Sequence, residues 1–362
     1  MRIACVTSHR DTLNSVRPEA ELFIGLVASG LDVTVYTQTD SVYAERMAQG
    51  GVNVVDFEPS GKVDRQSIRT LRRYLQSGAY DLVYSFNNKA ITTANLAAFR
   101  LPIKVVTYRG QTGNIRAYDP SAYLTHLHPR VDAIIAVAEA VAESLRPHVW
   151  RSQRVFTVYK GHDLAWYTDA PSSRVSLDVA ATDTLVTCVA NNRPRKGVSV
   201  LLDAMAQLSD LPNLKLVLIG TGMDAVTLSG ELQRRGLSPQ VRLLGFRDDA
   251  PAVLAASDFS VLPALKREGL PKSVIESMAY AVTPIVTDTG GSAELVIDGE
   301  SGLVVPPGDV GALARALRRL ANDPPLRHRL GTAARQRIES TFSVARAVAD
   351  TRAAFDKIVA VS

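Results

Sequence analysis

Cysteine is nearly absent from this 362-residue chain, which has only Cys5 and Cys188. Two thiols so far apart make neither a disulfide framework nor a zinc cluster, and they agree with a reducing compartment. No run of 18 apolar residues occurs, and the opening MRIACVTSHR is too short and polar for a signal peptide. The expectation is therefore a cytoplasmic protein with no membrane span. Charge of one sign is also lacking: 41 Lys+Arg stand against 36 Asp+Glu, and neither half of the chain is a basic arm, so nucleic acid is not an expected partner. No Asp-x-Asp pair occurs anywhere, which removes the commonest carboxylate arrangement for holding a divalent cation against a diphosphate.

What the sequence does contain is regular. Its length favours two domains, and 46% hydrophobic with 21% charged residues is ordinary globular composition. Short β-branched runs (RIACVT from Arg2, DVTVYT from Asp32, VNVVDF from Val52, DLVYSF from Asp81, IKVVTY from Ile103, AIIAVA from Ala133) alternate with helical patterns. Strands that are nearly all apolar are buried on both faces, which requires helices above and below a parallel sheet. The grammar then restarts. LVTCVANN from Leu185 echoes IACVTSHR from Ile3, with Cys188 and Cys5 in register, and LKLVLIG, VRLLG, DFSVLP, TPIVTD and GLVVPP follow. The expected division is 1–168, 169–342 and a final helix over 343–362, with the linker in the polar stretch Thr168–Asp183. Beyond Gly308 the pattern is helical, and Pro324 and Pro325 are expected to break it.

In an open parallel sheet ligands bind beyond the carboxyl ends of the strands, so the loops that follow strands are the places to search. In VANNRPRKGVSVLLDAM, Arg193, Arg195 and Lys196 follow a strand and Gly197 opens a helix, an arrangement suited to phosphate as well as to a plain solvated turn. In the stretch from Pro263 to Asp309, Glu268 and Gly269 end a loop, Pro271 suits a first helical turn, and Glu276 lies just off the stripe Ile275, Met278, Ala279, Val282. Twelve glutamates give roughly 0.4 pairs eight apart by chance, so that spacing needs its context. Gly220, Gly222 and Ala225 in IGTGMDA fit a dinucleotide fingerprint, but they follow the second strand of their half, where a tight turn near a ligand is the better reading. His126 and His128 in THLHP lack a Cys or acidic ligand at matching spacing and read as surface histidines, so no metal site is expected. In the first half, His9 and Arg17 follow the first strand, and Arg109, Gln111 and Asn114 sit in a polar loop after another; these could face the ligand crevice and reach a substrate.

The run EGLPKSVIESMA from Glu268, with VTDTGGSAELVIDGESGLVVPPGD behind it, resembles the glutamate-x7-glutamate signature of retaining glycosyltransferase family 4. RPRKGVSVLLDAM, VYKGHDLAWY and LGFRDDAPAVLAASDFSVLP match in order, while the first half is similar only in outline. The resemblance implies the GT-B architecture: an α/β protein of two facing Rossmann-like domains with parallel sheets, the last helix returning to the first domain. It also implies residue roles. Glu268 would accept hydrogen bonds from donor-sugar hydroxyls and Glu276 would bind the ribose. The backbone around Gly269, Leu270, Pro271 and Lys272, with Asn192, would line the sugar and diphosphate. Lys196 would bind the diphosphate, and Arg193 would supply the charge that the family usually places where Asn191 stands. Phe246 and Arg247, with Gly220, would meet the base.

The implied activity is metal-independent, retaining transfer of a sugar from a nucleoside-diphosphate donor to a carbohydrate or lipid-linked acceptor hydroxyl. No cofactor is implied, and bacterial lipopolysaccharide or envelope polysaccharide synthesis is the implied setting. A phosphorylase, synthase or hydrolase on the same fold and a non-catalytic sugar-nucleotide binder are the alternatives. Peripheral contact with the inner face of a membrane is a further expectation, through Arg146, Trp150, Arg151 and Arg154.

Overall fold

The computed structural model describes residues 1–9, 16–113, 115–150 and 152–360. The chain divides into two compact units, Met1–His162 with Phe342–Ser362, and Asp163–Thr341. The first unit holds β1 (Arg2–Val6), β2 (Asp32–Thr37), β3 (Asn53–Asp56), β4 (Leu82–Ser85), β5 (Lys104–Arg109), β6 (Ala133–Ala136) and β7 (Val155–Thr157). They form one parallel sheet in the order β3-β2-β1-β4-β5-β6-β7. The second unit holds β8 (Thr184–Val189), β9 (Leu214–Ile219), β10 (Val241–Gly245), β11 (Phe259–Leu262), β12 (Thr283–Thr287) and β13 (Leu303–Val305), parallel in the order β10-β9-β8-β11-β12-β13. Both orders reverse beside the first strand of the unit, which is where a doubly wound sheet opens its ligand crevice. Each unit is thus the Rossmann-like α/β layer that the alternating pattern called for. The echo between the two halves is structural, since Cys5 and Cys188 lie on equivalent central strands.

Alternation along the strands explains why both faces are covered. In β1, Ile3 and Cys5 point into a core shared with Phe23 and Leu26 of the helix Arg17–Ala28 and Phe355 and Ile358 of the helix Val344–Ala360. Ala4 and Val6 point the other way, into a core built with Leu71 and Leu75 of the helix Arg65–Ser77 and Ala90, Ala94 and Ala97. Apolar burial on both sides of one strand is the physical content of its unbroken hydrophobic run. The last helix returns to the first unit and lies against Arg17–Ala28, where Gly25 permits close approach: a Cβ there would stand 2.4 Å from Val348 Cγ2. Chain exit and return are joined by hydrogen bonds from His162 N to the Phe342 carbonyl (2.7 Å) and from Val344 N to the His162 carbonyl (3.2 Å).

Several local features depart from the pattern. The three-residue β7 has no counterpart in the second sheet and too short a run to stand out. Pro324 and Pro325 do break the helical stretch: one helix ends at Asn322 and the prolines open the next, Pro324–Thr341, whose first turn needs no donor from proline. The polar stretch Thr168–Asp183 is packed into the second unit by Leu177 and Val179, both buried beside Val253, and by Arg174, which donates to Asp258 at 2.8 Å.

Candidate functional site

At the carboxyl edge of the second sheet, five loops are tied to one another by backbone contacts. Asn192 N donates to the Thr221 carbonyl (2.8 Å), Gly220 N to the Gly245 carbonyl (2.8 Å) and Leu265 N to the Arg195 carbonyl (2.7 Å). Two glycines in the left-handed region make further contacts that no side chain would allow. Gly197, at φ +73°, would place a Cβ 1.9 Å from the Pro263 carbonyl oxygen, and Gly290, at φ +53°, 2.1 Å from that of Glu268. The loops after β8, β11 and β12 therefore meet with no space between their backbones.

Glu268 sits where they meet. It is 5% exposed, and its Oε1 accepts from Lys196 Nζ at 2.8 Å and from Arg195 at 3.4 Å. A buried carboxylate that opposes two cations leaves an excess positive charge at a strand-to-helix turn, which is a place prepared for an anion. Lys196 and Glu268, 72 residues apart, are thus in direct contact. Gly269 and Pro271 are buried beside them, Leu270 and Lys272 are partly buried, and Pro271 stands as the residue before the helix Lys272–Ala279. Arg193 is exposed and has no contact with Glu268; the guanidinium placed there belongs to Arg195, two residues on. The loop had shown three cations, and only the turn geometry of Pro194–Lys196 decides which of them face inward.

Glu276 lies within that helix rather than at its polar margin: every residue from Val274 to Ala279 is buried. Burial raises its pKa above the ordinary carboxylate value, opposed by Lys272, whose Nζ lies 3.2 Å away, one helical turn earlier. Asn192 and Gly220 belong to the tied loops. Phe246 and Arg247 follow Gly245 directly; Phe246 is 61% exposed and Arg247 pairs with Asp249 at 2.5 Å.

In the first unit, His9 is fully buried after β1. Its backbone N donates to Thr37 Oγ1 (3.1 Å) and Gln38 Oε1 (3.1 Å), and burial lowers its pKa. Arg17 begins a helix and is partly buried. Arg109 donates to the Gln111 carbonyl (2.9 Å) and to that of Gly113, so it clamps its own loop, and Gln111 is exposed. Asn114 lies outside the described residues. A partly buried pair that the sequence did not reveal joins Glu19 to Lys160 at 3.1 Å, with Thr7 donating to Glu19 at 3.2 Å. Its members are 141 residues apart and no local pattern links them.

The surface reading of THLHP is corrected for His126, which is buried and hydrogen-bonded to Thr107 Oγ1 at 2.9 Å; a satisfied neutral imidazole tolerates burial. Burial, with Arg109 nearby, lowers its pKa to about 3. Among the described residues there is no group of three His, Cys, Asp or Glu able to hold a metal ion, and no helix long and apolar enough to cross a membrane.

Residues 169–337 match the family described as Glycosyl transferases group 1, and residues 20–166 match Glycosyltransferase Family 4. The lipopolysaccharide core biosynthesis glycosyltransferase LpsE of Rhizobium meliloti is 29% identical over 237 residues, covering 65% of this chain and 67% of that protein. A GDP-mannose-dependent monoacylated alpha-(1-6)-phosphatidylinositol monomannoside mannosyltransferase of Corynebacterium glutamicum is 32% identical over 184 residues, and the alignment spans about half of each chain, 48% and 48%. Among solved structures, Anabaena Alr3699/HepE in complex with UDP shares the fold with a TM-score of 0.79 at 20% identity, over 99% of this chain and 100% of the other. With both units matched and both sheets in this form, the chain belongs to the GT-B glycosyltransferases of the family 4/group 1 type.

Proposed function

We propose that this chain transfers a sugar from a nucleoside-diphosphate donor to an acceptor hydroxyl with retention of anomeric configuration and without a metal ion, in the synthesis of a bacterial envelope polysaccharide or lipopolysaccharide. One observation carries the reading: Lys196 and Arg195 converge on the buried Glu268 carboxylate at 2.8 and 3.4 Å. When a diphosphate enters, it offers those cations a better-matched anion, and Glu268 is released to accept hydrogen bonds from sugar hydroxyls. As the glycosidic bond breaks, negative charge grows on the departing diphosphate, and fixed cations with the free amides of the helix at Lys272 stabilise it there. A phosphate oxygen of the leaving group takes the acceptor proton, so no carboxylate nucleophile is required.

Glu276 accepts from the ribose, and Gly220, Phe246 and Arg247 border the base. Asn192, Gly269, Leu270 and Pro271 line the sugar and diphosphate, and Arg193 reaches the diphosphate from the rim. Arg17, His9, Arg109 and Gln111, with Asn114, serve the acceptor. Support for a nucleotide donor comes from the Anabaena protein, which has been solved with UDP and with UDP-glucose, and from the GDP-mannose-dependent relative. These differ in base, so the base is open.

The test is a panel of UDP-, GDP-, ADP- and dTDP-sugars read by thermal shift, followed by transfer assays with chelator present and the anomeric product read by NMR. One donor is expected to raise the melting temperature and to give a product of unchanged anomeric configuration. Lys196→Ala and Glu268→Ala are each expected to lower transfer about 100-fold or more. Full activity in both variants, or an inverted product, overturns the proposal.

A further inference from the structure

Several partly buried cations of the first unit are met by carboxylates. Lys160 has Glu19 at 3.1 Å, Arg130 has Asp132 at 2.5 Å and Arg146 has Glu139 at 2.5 Å. Arg154, which the sequence grouped with Arg146, has Asp132 at 3.7 Å, and Arg151 of the same group lies outside the described residues. Arg109 is different. It ends β5 at the carboxyl edge of the first sheet, where a doubly wound unit takes its ligands, and is partly buried. Burial lowers its pKa, and among the described residues no carboxylate lies near enough to raise it again.

The strands on either side of β5 explain the missing counter-ion. Phe86, Asn87, Asn88 and Lys89, after β4, include no acid. Glu139, after β6, is taken by Arg146 and by the Thr157 hydroxyl. The nearby His126 is held neutral, partly by the Arg109 charge itself. Withdrawing a cation from water with nothing opposite it costs free energy, and the fold gains no ion pair in return.

The guanidinium is nevertheless held in a fixed attitude. Its Nε donates to the Gln111 carbonyl at 2.9 Å and its Nη2 to that of Gly113, so one edge of the fork is spent on the loop that follows. Nη1 has no hydrogen-bond partner among the described residues and is open to solvent. The free edge therefore runs from Nη1 to Nη2, and two parallel N–H groups there match the two oxygens of a carboxylate or a phosphate. Gly110 and Gln111, both exposed, follow directly, and they offer hydrogen bonds for sugar hydroxyls but no apolar surface for a lipid chain.

We infer that Arg109 binds an anionic group of the acceptor, so that the acceptor is an acidic saccharide carrying a carboxylate or a phosphate. The inference rests on the transfer reaction proposed above and names the substrate class of its acceptor side. The donor diphosphate does not need this cation, since Lys196 and Arg195 converge in the second unit.

The test is isothermal titration of the full chain with methyl glucuronoside and methyl mannoside 6-phosphate, each against its neutral partner, methyl glucoside or methyl mannoside. The nucleoside diphosphate selected by the donor panel is present at saturation, so that Lys196 and Arg195 are occupied. One acidic glycoside is expected to bind about tenfold or more tightly than its neutral partner, and which one does so distinguishes a carboxylate from a phosphate. Arg109→Gln should weaken that glycoside about 30-fold, the worth of a charge-assisted bidentate contact, while its neutral partner and the donor-induced thermal shift stay as in the native chain. Arg109→Lys should restore only part of the affinity, because an ammonium lacks the fork. A residue that merely clamped its loop would move the acidic and neutral glycosides together. Equal binding of acidic and neutral glycosides, native affinity in Arg109→Gln, or loss of the donor-induced shift in that variant would each overturn the inference. The Lys196→Ala chain titrated without nucleotide should still bind the acidic glycoside, so a failure of the donor reading and a failure at Arg109 are told apart.

Discussion

Gly290→Ala tests the site without removing any chemical group from it. The new Cβ would stand 2.1 Å from the Glu268 carbonyl oxygen, whereas carbon and oxygen sit comfortably at roughly 3.3 Å, so the two loops must part by about 1 Å. A second cost is conformational: φ of +53° is left-handed, which charges a side-chain-bearing residue roughly 1–2 kcal/mol. Gly236→Ala separates the two effects. It has φ of +69° at a helix end and nothing within 4 Å of its Cβ, so it carries only the backbone cost. In thermal denaturation both variants should lose a few degrees. In transfer assays Gly236→Ala should match the native chain, whereas Gly290→Ala should lose about 100-fold in kcat/KM, because an ångström of misplacement at Glu268 also moves the anchor of Lys196 and Arg195. Identical kinetics for the two alanine variants would show that the contact between these loops does not position the carboxylate.

Two other outcomes follow from titration and burial. Burial raises the pKa of Glu276, so its charge opposes folding at neutral pH; Glu276→Gln should raise the melting temperature while raising the donor KM about tenfold through the loss of an acceptor oxygen. A lowered melting temperature or an unchanged KM would refute that pairing of costs. His126, held neutral with a pKa of about 3, is lowered relative to the unfolded chain, so the unfolded state binds the extra proton and stability falls as pH drops from about 6.5 towards 3. His126→Gln should flatten the acid limb of melting temperature against pH in that window, and parallel curves for the two proteins would refute the role.

The strand pattern was legible because parallel strands buried on both faces leave an unmistakable apolar run; Ile3–Val6 and Leu185–Val189 show it in each unit. Glu268 and Lys196 were legible for a different reason: each sits at a strand-to-helix turn with its neighbours in one short segment. What escaped depends on contacts across the chain. Arg195 could not be preferred to Arg193, since the 3-10 turn Pro194–Lys196 alone decides which side chain meets Glu268. His126 was misjudged because its burial rests on one hydrogen bond to Thr107, 19 residues earlier. The Glu19–Lys160 pair needed β7, too short to announce itself, to bring Lys160 home.

The two units share a strand order yet treat their loops differently, and the contrast has a chemical sense. In the second unit the turns at Gly197, Gly220 and Gly290 press against neighbouring backbone, so the cations and carboxylates that ride on them have little freedom to move. Charge stabilisation of a leaving diphosphate is most effective when the charges need not reorganise, which is what backbone-to-backbone contact enforces. In the first unit the partly buried Glu19–Lys160 pair ties the helix Arg17–Ala28 to the segment after β7 by side chains instead. On the proposed reaction, loops held as rigidly as those of the second unit would present one phosphate chemistry, and the choice of acceptor would rest with polar side chains of the first unit such as Arg109 and Gln111.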